Sequence, residues 1–146
     1  GRITYKGHYI GQRISYFAGF TVGEMYLTMA ECLARRGDLA ESRNYLNTLL
    51  SKRIKRDSFR PIENENQQEL LQIILEHRRK DLLLKGVRWM DLRRLNKYDN
   101  AGITPGRRSA ITGESKEYTL APNDPRYCYP IPQQVIALSG IQQNER

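Results

Sequence analysis

The chain has 146 residues, enough for one domain, and the 39% that are hydrophobic can form a core. No apolar segment approaches the roughly 18 residues of a membrane-spanning helix. The formal net charge of +8 would suit an anionic partner, but acidic residues interleave most of the basic clusters, which favours solvated charged faces over a nucleic-acid site. The chain starts at Gly1 without an initiator methionine or a leader, so we expect a single-domain fragment, 1–146, of a longer protein.

Residues 1–20 are predicted to be an irregular segment that enters the domain from elsewhere. Glycines and tyrosines recur through it, among them Tyr5, Tyr9 and Tyr16. Tyrosine rings can stack on sugars or bases, but packing onto the next helix is the simpler interpretation and the one that we adopt.

A helical hairpin is predicted over residues 21–56. Its first helix, 21–36, starts with Thr21 as N-cap, and Glu24 completes a capping box. Gly37 and Asp38 form a two-residue junction to the second helix, 39–55, so the two helices are antiparallel. The apolar stripe predicted to face the core of the first helix consists of Val22, Met25, Tyr26, Met29, Leu33 and, at its edge, Ala30. The inward positions of the second helix are Leu39, Leu46, Leu49 and Leu50.

This hairpin resembles one tetratricopeptide repeat, with large, small and turn residues at the expected positions. Those positions are Tyr26, Met29, Ala30, Leu33, Gly37, Ser42 and Leu46. Only one copy is visible in the sequence. Because a single hairpin cannot bury both of its faces, we expect further helices to pack against it.

Two central helices are predicted within residues 67–96. Gly86 separates the first, 67–85, from a shorter one, 88–96, that carries the only tryptophan, Trp89, beside Leu92 and Leu95. We expect the helices to meet at an angle at Gly86, with Trp89 buried and charges at the rim. The first is predicted to be central because apolar residues cover more than one of its faces, and these are Leu70, Leu71, Ile73, Ile74, Leu75, Leu82, Leu83 and Leu84.

Residues 97–146 are predicted to hold a long loop and a C-terminal extended and helical segment. Glycines and prolines interrupt the loop as far as Arg126, and a short strand is predicted at 118–120. Residues 126–132 are predicted to be extended, because a residue that precedes a proline avoids the helical conformation. A short helix, 133–139, then follows Pro132.

The sequence carries no recognisable catalytic motif, and we predict neither a metal nor a cofactor. His77 and Asp81 have helical i,i+4 spacing, but without a third ligand a surface pair is the better interpretation. Cys32 and Cys128 are predicted to be small buried hydrophobic residues, with a disulfide between them left open.

Charged residues with helical spacing are predicted to form ion pairs. Glu31 has Arg35 at i+4, and Asp81 has Lys85 at i+4. The guanidinium groups of Arg78, Arg79 and Arg88 could bind anions, but we expect them to pair with Asp81, Asp91 or the acids of the first helix.

Three stretches together resemble the C-terminal region of the SusD/RagB family. The first is the helix 21–36 with its Gly-Asp turn, and the second contains E-H-R-R-K-D-L and K-G-V-R-W-M-D-L, within residues 74–92. The third is Y-P-I-P-Q-Q-V-I, with Q-N near the end of the chain. The positions that match the two more specific stretches, interpreted as structural, are Arg78, Arg79, Asp81, Gly86, Arg88, Trp89, Asp91, Tyr129, Pro130 and Pro132.

The resemblance implies a mainly α fold with a tetratricopeptide-like hairpin, further helices, a long loop and a short extended or hairpin segment near the C-terminus. It also implies a surface-exposed, lipid-anchored protein of the outer membrane of Bacteroidetes-type bacteria, with the anchor outside this chain. Such a protein is not an enzyme. It binds a glycan or an oligopeptide as the lid of a SusC-like TonB-dependent transporter, and this fragment would mainly be scaffold.

Two alternatives remain open at this stage. One is a cytoplasmic repeat protein that binds peptides, and the other, based on charge alone, is a nucleic-acid module. The ligand-binding residues are unknown, and the aromatic residues available for stacking on a sugar are Tyr5, Tyr9, Tyr16, Tyr98, Tyr118 and Tyr127.

Overall fold

The computed structural model describes residues 19–109 and 116–145, which form a mainly α structure, as predicted. The helices are α1 (Val22–Arg36), α2 (Leu39–Arg53), α3 (Gln67–Asp81), α4 (Arg88–Tyr98) and α5 (Gln133–Ser139). A two-stranded antiparallel sheet consists of β1 (Gly106–Ser109) and β2 (Lys116–Thr119), and Pro125–Tyr127 is one turn of 3-10 helix. None of the helices in the described part has the length and apolar character needed to cross a membrane.

The chain divides into two compact units, of which the first ends at Arg88 and the second begins at Trp89. The predicted segment 1–20, with Tyr5, Tyr9 and Tyr16, falls almost entirely outside the described residues.

The hairpin of α1 and α2 forms as the sequence predicts. Thr21 accepts a hydrogen bond from the Glu24 backbone N–H at 3.3 Å, and Gly37, in the left-handed region at φ 93°, ends α1. Asp38 stands at the N-cap of α2, but its carboxylate pairs with Arg36 rather than with the helix backbone. Ser42 is fully buried and donates to the Ala30 carbonyl at 2.7 Å, so a buried hydrogen bond joins the two helices.

The core of the first unit lies between α1, α2 and α3, and α1 packs against both other helices. The prediction that α3 is the central helix is therefore wrong. The core residues are Leu27, Ala30, Ala34, Leu46, Leu49, Leu50, Leu70 and Ile74. Burying these side chains supplies the main stabilisation of the unit, at ~25 cal/mol per Å² of apolar surface.

The apolar stripe predicted for α1 is wrong in part. Val22, Met25 and Met29 are exposed, by 68%, 63% and 44% respectively. The face that packs into the core is centred on Leu27 and Ala30 instead. Helical periodicity identified an apolar face, but α1 has apolar residues on two faces, and the period alone cannot choose between them.

α3 ends at Asp81, four residues earlier than predicted. Leu84 and Gly86 both have positive φ angles, of 66° and 78°, which are incompatible with a continuing α-helix. Leu82 is buried, whereas Leu83 and Leu84 are exposed, so the run of three leucines does not extend the packed face.

The second unit contains α4, the hairpin and α5. β1 was not predicted; it pairs with β2 through Arg107 opposite Tyr118, and the guanidinium lies 5.4 Å from the ring centroid. The predicted extended segment 126–132 is wrong at its start, because Pro125 begins a helical turn. Proline fits the first position of a helix, where no N–H is needed.

Both cysteines are exposed and free, so the prediction that they are buried is wrong. Cys32 shares the solvent-facing side of α1 with Met25 and Met29, and Cys128 follows the 3-10 turn.

Candidate functional site

An aromatic cluster in the second unit is built around Trp89. Its indole N–H donates to the Tyr127 carbonyl at 3.1 Å, and its ring centroid lies 4.8 Å from that of Tyr127 and 6.3 Å from that of Tyr129. Trp89 is only partly buried, so the expected burial is wrong; the buried member is Tyr127, which is 4% exposed. The tryptophan ties the start of α4 to the segment that leads into Y-P-I-P.

The Y-P-I-P segment is held by the end of the chain. The Gln143 side-chain amide accepts a hydrogen bond from the Ile131 N–H at 2.8 Å and donates to the Ile131 carbonyl at 3.0 Å. The Asn144 amide donates to the Tyr129 carbonyl at 2.7 Å. Prolines have no backbone N–H, so in this segment the Ile131 N–H and the neighbouring carbonyls are the groups left to pair. The side-chain amides of Gln143 and Asn144 bind these groups. The two parts of the ending, Y-P-I-P and Q-N, therefore form one structural element.

Arg78 on α3 contacts two polar residues of α1. Its guanidinium lies 4.0 Å from the Glu24 carboxylate and donates to the Thr28 hydroxyl at 3.2 Å. A pair with an acid of the first helix was one of the expected arrangements. Arg79 is exposed on the same helix.

Asp81 pairs with Arg53 of α2 at 2.6 Å, a partner that the sequence does not predict. The expected pair between Asp81 and Lys85 requires both residues to lie on one helix, but α3 ends at Asp81. The Lys85 ammonium instead donates to the Gly19 carbonyl at 2.9 Å. Gly23 makes the close approach possible, because a Cβ there would lie 2.5 Å from an Asp81 carboxylate oxygen. This pair joins the ends of α2 and α3 and lies close against Gly23 in the first turn of α1.

Two further acids are buried beside an arginine of their own helix. Glu31 on α1 pairs with Arg35 at 2.9 Å, which confirms that expectation, and Asp91 on α4 pairs with Arg94 at 2.9 Å. A carboxylate that leaves water needs such a partner. These contacts are structural in kind.

A groove of about 540 Å³ runs along α4 in the second unit. α4 contributes Met90, Arg93, Arg94, Lys97 and Tyr98 to its lining, and the segment before Y-P-I-P contributes Asn123, Asp124, Pro125, Tyr127 and Cys128. Its volume lies within the ~300–1,000 Å³ typical of ligand sites, and side chains from two separate segments converge on it. We take it as the candidate functional site.

An ion pair between Asp124 and Arg126 fixes part of the lining. The Arg126 guanidinium makes two hydrogen bonds to the Asp124 carboxylate, at 2.9 and 2.7 Å, and the Arg126 backbone N–H donates to it at 2.8 Å. The guanidinium contact, more than the backbone one, holds the pKa of Asp124 down at about 2. Asp124 therefore stays ionised and caps the 3-10 turn throughout the physiological range.

A smaller cavity of about 270 Å³ in the first unit is bordered by His77 on α3 and by Leu49 and Leu50 on α2. Burial, followed by the charge of Lys80, lowers the pKa of His77. His77 and Asp81 do not form a metal centre, because no group of three or more His, Cys, Asp or Glu side chains lies close enough in the part of the chain that is described.

The tyrosines suggested for sugar stacking differ in their accessibility. Tyr98 is 74% exposed and Tyr118 is 45% exposed, whereas Tyr127 is buried and cannot offer a ring face. Tyr129, which was not among the predicted stacking residues, is 79% exposed.

The groove was not predicted, because its lining residues come from two stretches about 30 positions apart. The signal that could have drawn attention to it is the pair of exposed residues Lys97 and Tyr98 at the end of α4, which are a cation and an aromatic ring side by side. The roles of Gln143 and Asn144 could have been inferred from the need of the proline-rich segment for hydrogen-bond partners for its backbone N–H and carbonyl groups.

Comparisons with known proteins agree with the fold. The family model described as the SusD family matches residues 15–146. The crystal structure of a SusD-like protein from Bacteroides fragilis superposes with a TM-score of 0.55 at 21% sequence identity, over 84% of this chain and 24% of that one. The chain thus spans about a quarter of the length of that protein. No curated protein matches the chain.

Proposed function

Because the chain belongs to the SusD family, we propose that the protein captures a nutrient glycan at the bacterial surface, without catalysis, as the partner and lid of a TonB-dependent outer-membrane transporter. Proteins of this family bind carbohydrates, work with SusC-type partners and are not enzymes. The observation that carries the proposal is the family match over residues 15–146, nearly the whole chain.

Within this function, the part played by the chain is mainly that of a helical scaffold. The contacts of the motif residues support this role: Arg53 with Asp81, Arg78 with α1 and Trp89 with the Tyr127 carbonyl each tie one element to another. A side chain fully used in such contacts is not available to a ligand. We propose that Arg78, Arg79, Asp81, Gly86, Arg88, Trp89, Asp91, Tyr129, Pro130 and Pro132 serve the fold.

The proposed location is the outer membrane, through a lipid anchor. SusD-family proteins are in general outer-membrane-associated lipoproteins.

Native affinity electrophoresis of the full-length protein in gels containing single polysaccharides tests the binding claim. We expect at least one polysaccharide to retard migration, while assays of new reducing ends detect no cleavage of it. Asn44→Ala, at an exposed position of α2, serves as a control for nonspecific changes in mobility. Release of reducing ends by the purified protein, or unaltered mobility with every polysaccharide of a broad panel, would contradict the proposal.

A further inference from the structure

The groove along α4 carries more positive than negative charge. Its lining includes three cations, Arg93, Arg94 and Lys97, and one anion, Asp124. Arg94 is paired with Asp91 on its own helix, and Asp124 is paired with Arg126. Each of these pairs has no net charge, so the net charge of the groove comes from the remaining two cations, Arg93 and Lys97.

Arg93 and Lys97 lie four residues apart and are both exposed. Within residues 19–109 and 116–145, neither pairs with a carboxylate: Arg93 contacts the Cys128 sulfur at 3.8 Å, and the Lys97 ammonium lies 5.5 Å from the Tyr98 ring centroid. Residues at i and i+4 share one face of a helix. The groove therefore presents two positive charges on one side without an acidic counterpart from the described residues.

Apolar and aromatic surface accompanies these charges. Tyr98 is 74% exposed and Met90 is 63% exposed, and both line the groove. An aromatic face next to a cation suits a ligand with an apolar side and an anionic group, since the ring contacts C–H groups while guanidinium or ammonium binds the anion.

We propose that this groove binds an anionic sugar unit, carboxylated or sulfated, of the captured glycan. The Arg93 guanidinium offers two parallel N–H donors to the anionic group, Lys97 adds a second positive charge, and the Tyr98 ring packs against the sugar ring. The proposal rests on the glycan-binding function proposed above and goes beyond it, because it assigns a binding site to a part of the protein otherwise regarded as scaffold.

The two exposed cysteines provide a direct readout. Cys128 lines the groove, whereas Cys32 lies on α1 in the first unit. Alkylation of the full-length protein by iodoacetamide, followed by mass spectrometry of the peptides, reports on both positions in one sample. A ligand at about ten times its dissociation constant should slow alkylation of Cys128 roughly tenfold and leave Cys32 unchanged.

Four probes of equal length separate the possible ligand chemistries. They are trigalacturonic acid, sulfated maltotriose, neutral maltotriose and triglutamate. Protection of Cys128 by either anionic trisaccharide, and not by maltotriose, is the expected result, and the stronger of the two identifies the anionic group. Protection by neutral maltotriose to the same extent, by triglutamate alone or by no probe would overturn the proposal. None of these outcomes alters the polysaccharide gel result, so a failure of the groove is distinguishable from a failure of the general function.

Two variants locate the effect. Arg93→Gln and Lys97→Gln should each weaken binding of the protecting trisaccharide about three- to fivefold and reduce its salt dependence, as loss of one exposed ion pair implies. Arg56→Gln makes the same change at an exposed position that follows α2 and should leave the affinity unaltered. Lys97→Gln leaves the contact between Arg93 and the Cys128 sulfur in place, so any change in Cys128 protection reflects the lost charge and not an altered environment of the thiol. Equal affinity of Lys97→Gln and Arg56→Gln would contradict the assignment.

Discussion

At three places in the described chain, one side-chain amide binds both the N–H and the carbonyl of a single loop residue. Asn47 binds the N–H and carbonyl of Ile62, at 2.8 and 3.0 Å, and Asn96 binds those of Ile103, at 2.8 Å each. Gln143 binds Ile131 in the same way. A primary amide carries one acceptor and a donor in the arrangement of a peptide group, so it can pair with an isolated loop residue as a neighbouring strand would.

Asn96→Asp should destabilise the protein by about 2–3 kcal/mol, because Asn96 is 2% exposed and the new carboxylate faces the Ile103 carbonyl with no hydrogen to donate. Urea denaturation followed by circular dichroism measures the change. Asn44→Asp, the same substitution at an exposed site on α2, should alter the unfolding free energy by less than about 0.5 kcal/mol. Equal effects of the two substitutions would rule out the buried amide contact.

Tyr127→Phe should raise the stability of the 146-residue chain by about 1 kcal/mol, because the Tyr127 hydroxyl is buried and has no hydrogen-bond partner among the described residues. The packing of the ring against Trp89 needs only the aromatic group, which phenylalanine keeps. Thermal unfolding of both forms measures the difference. A lower melting temperature for Tyr127→Phe would mean that the hydroxyl has a partner.

Stability should fall as the pH drops below the ordinary pKa of histidine, 6.5, through the titration of His77. Burial lowers the pKa of His77 in the folded protein, so between the folded and unfolded pKa values the unfolded chain binds more protons and is favoured. Above that window the residue contributes no pH dependence. Urea unfolding of wild type and His77→Gln, from about pH 7.5 to about pH 5.5, should show a smaller loss in the variant. Identical pH profiles would refute the assignment.

At the scale of elements, α1 shows what periodicity can and cannot predict. Its bounds and caps could be predicted, because Thr21, Glu24 and Gly37 act through the local backbone. Its buried face could not be predicted. Met25 and Leu27 are both apolar and occupy different faces, and the choice between them depends on where α2 and α3 pack.

Leu27→Ala and Met25→Ala separate the two faces of α1. Leu27 is fully buried, so its truncation should cost about 2–5 kcal/mol by leaving a cavity in the core. Met25 is 63% exposed, and its truncation should cost less than about 0.5 kcal/mol in the 146-residue chain. Denaturant titrations of the two variants provide the comparison. A larger loss for Met25→Ala would restore the stripe that the sequence predicted.

At the scale of the whole molecule, motifs that act through local chemistry were predictable and long-range partners were not. The hairpin, the Gly-Asp turn and the helix after Pro132 depend on neighbouring residues, and each forms where expected. Other features depend on segments that only the tertiary fold brings together. These features are the pairing of Asp81 with Arg53 and the groove lined by α4 and by the segment that contains Cys128. The family resemblance predicted the architecture, but it assigned no ligand contact to any residue of this chain.

The central claim, that the protein is the surface partner of a nutrient transporter, is tested most directly by its co-purification. An affinity-tagged full-length protein would be recovered from detergent-solubilised outer membranes of its native bacterium, and its companions identified by mass spectrometry. The proposed function predicts a TonB-dependent transporter in near-equal amount. Recovery of the tagged protein in the cytosolic fraction, or from the outer membrane without a transporter, would contradict it.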